Sequence, residues 1–242
     1  MVPDPIRSLT NRWDRAGRPP QPPILWSQKS WKKQLPSYSQ FLDSLPNPIS
    51  RRDVQYRAQQ ASRGECQAVE AFLISMVWGY GPTGYGPWRT SRVLNENHDA
   101  AQRLLRTANA ESMENEERSY IHLAKESRLT FLGPAFGTKY LYFISKRPPI
   151  ELPLILDAVV SRALLELAGV AISAKTWNPS AYQNYLALLR GWAAEISVSP
   201  PDVERVLFAS QQPIERAESW VHEKMPPETP RETPPAVENS GE

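Results

Sequence analysis

Apolar positions recur at helical spacing through the middle of the chain and hardly anywhere in strict alternation. Val69, Phe72, Leu73, Met76 and Val77 make one helical face. Ser62 with Glu65, three residues on, reads as a capping box that starts it. Ala101, Leu104 and Leu105 predict a second helix over 99–107, and Tyr120, Ile121 and Ala124 a third over 115–125. Aromatic residues crowd a helix predicted at 138–144, and an apolar run predicts another at 156–167. Tyr182, Tyr185, Leu186, Leu189 and Trp192 form the inner stripe of a long helix over 179–196. Ser199-Pro200 opens a last one, Ser as cap and Pro in the first turn, with Val203, Val206 and Leu207 on its apolar face. Breaks fall at Trp78–Pro87, with four glycines and two prolines, at Leu129–Gly137 and at Arg147-Pro148-Pro149. The predicted class is all-α.

Composition changes the picture at the two ends. Of 24 prolines, nine fall in residues 1–50 and six in 213–242. Residues 1–60 carry ten basic and four acidic side chains, whereas 215–242 carry three and seven. The chain therefore divides into a basic, Pro-rich arm (1–60), a helical body (61–225) and an acidic low-complexity tail (226–242) expected to be disordered. Trp13, Trp26, Trp31, Tyr38, Phe41 and Tyr56 are too many aromatics for a wholly disordered arm, so part of it is expected to pack on the body. Basic arms often meet phosphate, although charge alone fits an ordinary solvated segment better.

Several functions are disfavoured. No run of apolar residues is long enough for a membrane span, and no signal peptide opens the chain, so a cytoplasmic protein is expected. Cys66 is the one cysteine, and His98, His122 and His222 lie far apart, so neither a disulfide nor a metal site is expected. Cys66 itself, on an amphipathic helix, reads as a buried structural thiol. Gly79-Tyr80-Gly81-Pro82-Thr83-Gly84 matches a dinucleotide-binding pattern in letters only, because a helix precedes it and Pro82 interrupts it.

The informative stretch is Leu129–Val160. The glycine-rich turn Leu132–Gly137, set between two short helices, can offer backbone N–H groups to one phosphate. Lys139 follows, the sole charge between Arg128 and Lys146, among Tyr140, Leu141, Tyr142 and Phe143. An apolar neighbourhood lowers the pKa of a lysine and favours a nucleophilic amine. Eighteen residues later Asp157 interrupts an apolar run, costly to bury unless paired or capping a helix. Taken singly, Lys139 reads as a surface lysine and Asp157 as an N-cap; together, at this spacing behind a glycine turn, they read as a site.

This arrangement resembles the helix-hairpin-helix superfamily of DNA glycosylases, and within it the bacterial 8-oxoguanine DNA glycosylase-like proteins. Trp78-Gly79-Tyr80-Gly81, Gly86-Pro87-Trp88-Arg89, the hairpin with its tyrosine-rich continuation and the Pro153–Asp157 segment carry the resemblance, over roughly residues 60–210. It implies that the hairpin grips a phosphate, that Lys139 attacks the sugar C1′ and that Asp157 is essential. DNA contacts then fall on Gly133, Ala135, Gly137, Thr138, Arg89 and Arg92. Trp78, Tyr80, Tyr85 and Trp88 are expected to line the pocket for an extruded base. Gly133 and Gly137 stand further apart than the family's Gly-x-Gly, so a wider turn is expected. The implied partner is double-stranded DNA bearing an 8-oxoguanine-type lesion or a bulky hypermodified phage base, met by a monomer without cofactor. A silent DNA-binding protein and a helical adaptor for peptides remain open on the residues alone.

Overall fold

A computed structural model describes residues 1–113, 116–213 and 217–222. Among them are twelve α-helices and no strands; a lone antiparallel bridge joins Ile24 and Ile49. The all-α expectation holds. The predicted disordered tail, 226–242, lies outside the described residues.

Residues 1–60 contain four helices: α1 (Asp4–Arg15), α2 (Gln28–Gln34), α3 (Ser39–Asp43) and α4 (Arg51–Ala58). Each of α2 and α4 starts at a serine whose hydroxyl accepts a backbone N–H, Ser27 from Ser30 and Ser50 from Asp53. Trp26 and Trp31 join the core that also holds Phe72 and Phe143, so one apolar cluster runs from Val2 to Leu207.

The centre of that cluster is α5 (Glu65–Tyr80), buried along its length from Ala68 to Trp78 and packed on α4, α7 and α9. Its start corrects the sequence expectation. Ser62 lies in a 3-10 turn, Ala61–Arg63, and Gly64 occupies the N-cap position. Its end is also later than expected. Gly79 and Tyr80 remain helical, and Gly81 stops the helix in a left-handed conformation, φ +56°. Only 81–84 then separate it from α6 (Tyr85–Asn95), whose first turn absorbs Gly86 and Pro87. Cys66 is exposed, with its Sγ 3.8 Å from Glu70, and is not the buried thiol expected.

Helices α7 (Ala100–Met113) and α8 (Glu116–Ile121), the latter prolonged by a π turn His122–Glu126, lead to a loop and then α9 (Pro134–Ile144). An extended segment, 152–156, feeds α10 (Ala158–Ala168). Two more helices, α11 (Pro179–Glu195) and α12 (Pro200–Ser210), complete the body, and α12 packs against α1, α10 and α11.

Candidate active site

The hairpin ahead of α9 is built from side chains reaching in from other elements. The Asn97 amide accepts from Thr130 N–H at 2.9 Å and donates to the Thr130 carbonyl at 3.2 Å. Arg89 Nε donates to the Phe131 carbonyl at 2.9 Å and Trp177 Nε1 to that of Leu132 at 3.2 Å. Three successive loop carbonyls are thereby fixed, which holds Phe131 in a left-handed conformation, φ +69°, that a bulky side chain rarely adopts. Helix α9 then starts with Gly133 at the N-cap and Pro134 at the first position.

This start is four residues earlier than the sequence predicts. Proline breaks a helix in its interior, but at a first helical position it loses no hydrogen bond. Gly137 is therefore helical and not part of a wide turn. It is needed for close approach: a Cβ there would lie 2.2 Å from the Trp177 ring. Thr138 is fully buried and so is no DNA contact as the structure stands. Gly133 and Ala135, half-buried at the uncapped N-terminus, keep positions where an anion meets backbone N–H groups.

Lys139 lies one and a half turns into α9 with 5% of its surface exposed. Its methylenes lie across Gly79 of α5, where an added Cβ would come within 2.8 Å of Cδ. Phe136, stacked on Tyr80 at 3.8 Å between centroids, borders the ammonium, whose Nζ is 5.2 Å from the Phe136 ring. Nζ donates to Asp157 Oδ2 at 2.6 Å and more weakly to the Ala135 carbonyl at 3.4 Å.

Asp157 is the N-cap of α10. Its Oδ1 accepts from Val159 N–H at 3.0 Å and Val160 N–H at 3.1 Å, leaving Oδ2 to the lysine. Burial pushes its carboxyl upward, but the Lys139 charge, the hydrogen bond from Nζ and the two backbone N–H groups outweigh burial and hold it below the usual range. The segment before it is tied at three places. Tyr182 donates to the Leu154 carbonyl at 2.8 Å and Tyr185 to that of Ile155 at 2.7 Å. Thr138 Oγ1 donates to the Pro134 carbonyl and accepts from Leu156 N–H at 3.1 Å. Thr138 is thus a clamp that brings Asp157 beside the next residue of α9. Sequence reading missed this role, and it treated Tyr182 and Tyr185 as plain core.

A second buried ion pair stands behind the first. Arg51 Nη2 meets Glu204 at 2.9 Å, and its guanidinium lies 4.4 Å over the Tyr142 ring and 5.7 Å from the Trp78 ring. Burial raises the Glu204 carboxyl, against Arg51, and Asp157 adds to the rise. A separation of 153 positions between these partners leaves no signal in the sequence.

The other expected residues divide. Trp78 is buried edge-on to Phe143, so it is core and not a face open to a base. Tyr80 touches the site through Phe136, whereas Tyr85 and Trp88 are exposed and tilted together at 5.2 Å on α6. Arg89 shapes the hairpin, as above. Arg92 is bound to Glu96 and lies 3.8 Å over the Phe131 ring, which leaves it less free for phosphate than expected. Arg89, Arg128 and Lys175 surround a groove of about 360 Å³ beside Gly133. Among the described residues no group of His, Cys, Asp or Glu is placed to hold a metal ion.

Residues 17–208 match the model of the family described as "Putative 8-oxoguanine DNA glycosylase OGG-like protein". The chain belongs to this family. At that coarse level it is a DNA glycosylase-type protein with DNA as its substrate class, and its all-α architecture fits such a fold. No curated protein and no solved structure matches the chain. Membership spans α2 to most of α12 and includes Lys139, Asp157 and the hairpin; α1 precedes it.

Proposed function

We propose that the protein excises an altered base from duplex DNA, with Lys139 as nucleophile and Asp157 as the charge that stabilises the sugar. The observation that carries this reading is the 2.6 Å contact between an almost buried ammonium and an almost buried carboxylate, one element away from a groove flanked by Arg89, Arg128 and Lys175. As the glycosidic bond breaks, positive charge grows on the deoxyribose, and a fixed carboxylate in a dry site opposes it strongly. The bonding pair leaves with the base, which takes the proton that Asp157 relays from Lys139. Asp157 is the nearest acceptor for the proton Lys139 must lose, and the amine then bonds to C1′. Ring opening gives a Schiff base, and loss of a C2′ proton expels the 3′ phosphate and nicks the strand. The backbone is held at the α9 N-terminus, with Arg89, Arg128 and Lys175 around the phosphate.

The family description names 8-oxoguanine, and we take an oxidised guanine or another modified base as the target. Removing the first serves repair; removing a hypermodified phage base serves defence. Borohydride trapping on lesion-bearing duplexes is the test. A covalent adduct is expected with the wild type, none with Lys139→Ala, and about a hundredfold slower base release with Asp157→Asn. Base release by Lys139→Ala at the wild-type rate would give the attack to water, and undiminished release by Asp157→Asn would remove the role of the carboxylate.

A further inference from the structure

Lys139 and Asp157 are 5% and 8% exposed, so a deoxyribose carbon meets Nζ only after a neighbour moves. Most neighbours are fixed. Asp157 caps α10, Thr138 is tied to Leu156, and Gly79 belongs to α5. Phe136 is not held in this way. It is half-buried in the first turn of α9. Its ring borders both Nζ, at 5.2 Å, and the place of a Gly79 Cβ, at 3.0 Å. A change of its side-chain rotamer takes the ring away without disturbing the helix.

The ring that Phe136 lies against is held. Tyr80 stacks on it at 3.8 Å between centroids, with 17° between the planes. Behind Tyr80 stands Gly86, where a Cβ would lie 2.5 Å from Tyr80 Cβ and Cγ, so α6 supports Tyr80 and leaves it no retreat. Burial pushes the Tyr80 hydroxyl up to about 12, which keeps the ring uncharged at neutral pH. One fixed ring and one movable ring, near-parallel and beside the ammonium, suit a flat guest. A planar base between them replaces one ring–ring contact by two ring–base contacts. The order of groups along α9 agrees. Ala135, at the start where backbone N–H groups meet an anion, shares a turn with Phe136. Lys139 follows Ala135 by four residues, a rise of about 6 Å. A nucleotide with its phosphate at the helix start can therefore set its base beside Phe136 and its sugar toward Lys139.

Resting on the glycosylase reading above, we propose that the Tyr80–Phe136 stack is a removable cover over Lys139, and that the extruded base opens it by entering between the two rings. Without DNA the rings close on each other and keep the amine from water and from small carbonyl compounds. With DNA, Tyr80 and Phe136 hold the base while Lys139 and Asp157 face its sugar. Trp78, edge-on to Phe143, takes no part in the stack.

The test uses the full chain as wild type, Phe136→Ala and Phe136→Leu. Phe136 is half-buried at a helix start, so both variants are expected to fold, and leucine keeps an apolar cover without a ring face. Without DNA, lysines are methylated with formaldehyde and borohydride and followed by peptide mass spectrometry, with the exposed Lys29 and Lys33 as references. Wild-type Lys139 should react at least about tenfold more slowly than the references, Phe136→Ala should recover most of that factor, and Phe136→Leu little of it. Lys139 as reactive as Lys29 in the wild type, or no faster in Phe136→Ala, overturns the cover. With DNA, Phe136→Leu should release 8-oxoguanine about tenfold more slowly, yet be trapped normally on a duplex with a preformed abasic site, which has no base to stack. Undiminished release, or trapping lost in proportion, overturns the insertion. If no base is released, the glycosylase reading fails, and the insertion is judged by fluorescence anisotropy. Tighter binding of the 8-oxoguanine duplex than of an unmodified one, dependent on Phe136, supports it, and equal affinity refutes it. The methylation result decides the cover in either case.

Discussion

At the scale of single residues, the two oxygens of Asp157 have separate tasks. Oδ1 caps α10 and Oδ2 faces Lys139, so the same group fixes a helix and completes the site. Its lowered pKa sets a pH dependence. A carboxylate that is harder to protonate in the folded state adds stability above its unfolded value, about 3.9, and the gain is lost as pH falls through the folded value. Urea denaturation from pH 7 to pH 2 should therefore show wild type and Asp157→Asn drawing together below about pH 4. A constant gap through that window would remove the charge from the account. Gly79 acts from the other side of the lysine. Gly79→Ala gains about 0.5–1 kcal/mol of helix propensity, but its methyl would lie 2.8 Å from Lys139 Cδ and 3.0 Å from the Phe136 ring, so the lysine must shift. Displacement of a reacting group by an ångström can cost about a hundredfold in rate. The expected outcome is near-normal melting with trapping reduced at least tenfold; normal trapping would show that the lysine yields without consequence.

Elements place these residues, and here the sequence was only partly readable. Periodicity found α5, α7, α10, α11 and α12, because each buries one face or more over several turns. The eighteen-residue interval from Lys139 to Asp157 and the capping role of Asp157 were also readable, being local chemistry. Starts went wrong where glycine or proline does something other than break. Gly64 stands at the start of α5, Pro134 opens α9, and Gly86 and Pro87 lie in the first turn of α6, a helix that the residue pattern did not reveal. Contacts across long stretches of chain were invisible. Trp177 fixes the hairpin from forty residues downstream of Gly137, and Thr138 finds its partner only once 152–156 is laid beside α9. Thr138→Val tests that clamp. It keeps the shape and leaves Leu156 N–H buried without an acceptor, a loss of about 1–3 kcal/mol in urea denaturation. Base release should fall further than stability explains, since Asp157 follows Leu156 directly. A variant as stable and active as wild type would mean that Tyr182 and Tyr185 hold the segment unaided.

At the scale of the whole molecule, α12 is held by α1 and by the turn Ser219–Val221. Leu9 and Trp13 of α1 form a second apolar cluster with Val206, Ala209, Trp220 and Val221, so a helix ahead of the family match and a turn beyond it hold the same element. That element carries Glu204, which bonds Arg51, and Arg205, which meets Glu218. The second ion pair is therefore set by packing far from Lys139. Leu9 isolates this effect, since it is buried in the cluster and belongs to neither ion pair. Leu9→Ala should cost about 2–5 kcal/mol, the range for a buried leucine, and lower the melting temperature by about 2–4 °C for each of those. Lys139 and Asp157 belong to α9 and α10, held to each other by Thr138 and by α11, so borohydride trapping below the melting transition should survive the change. Loss of trapping in step with stability would show instead that the reacting pair and α12 form one cooperative unit, which the continuous cluster from Val2 to Leu207 permits but the separate cluster at Leu9 argues against.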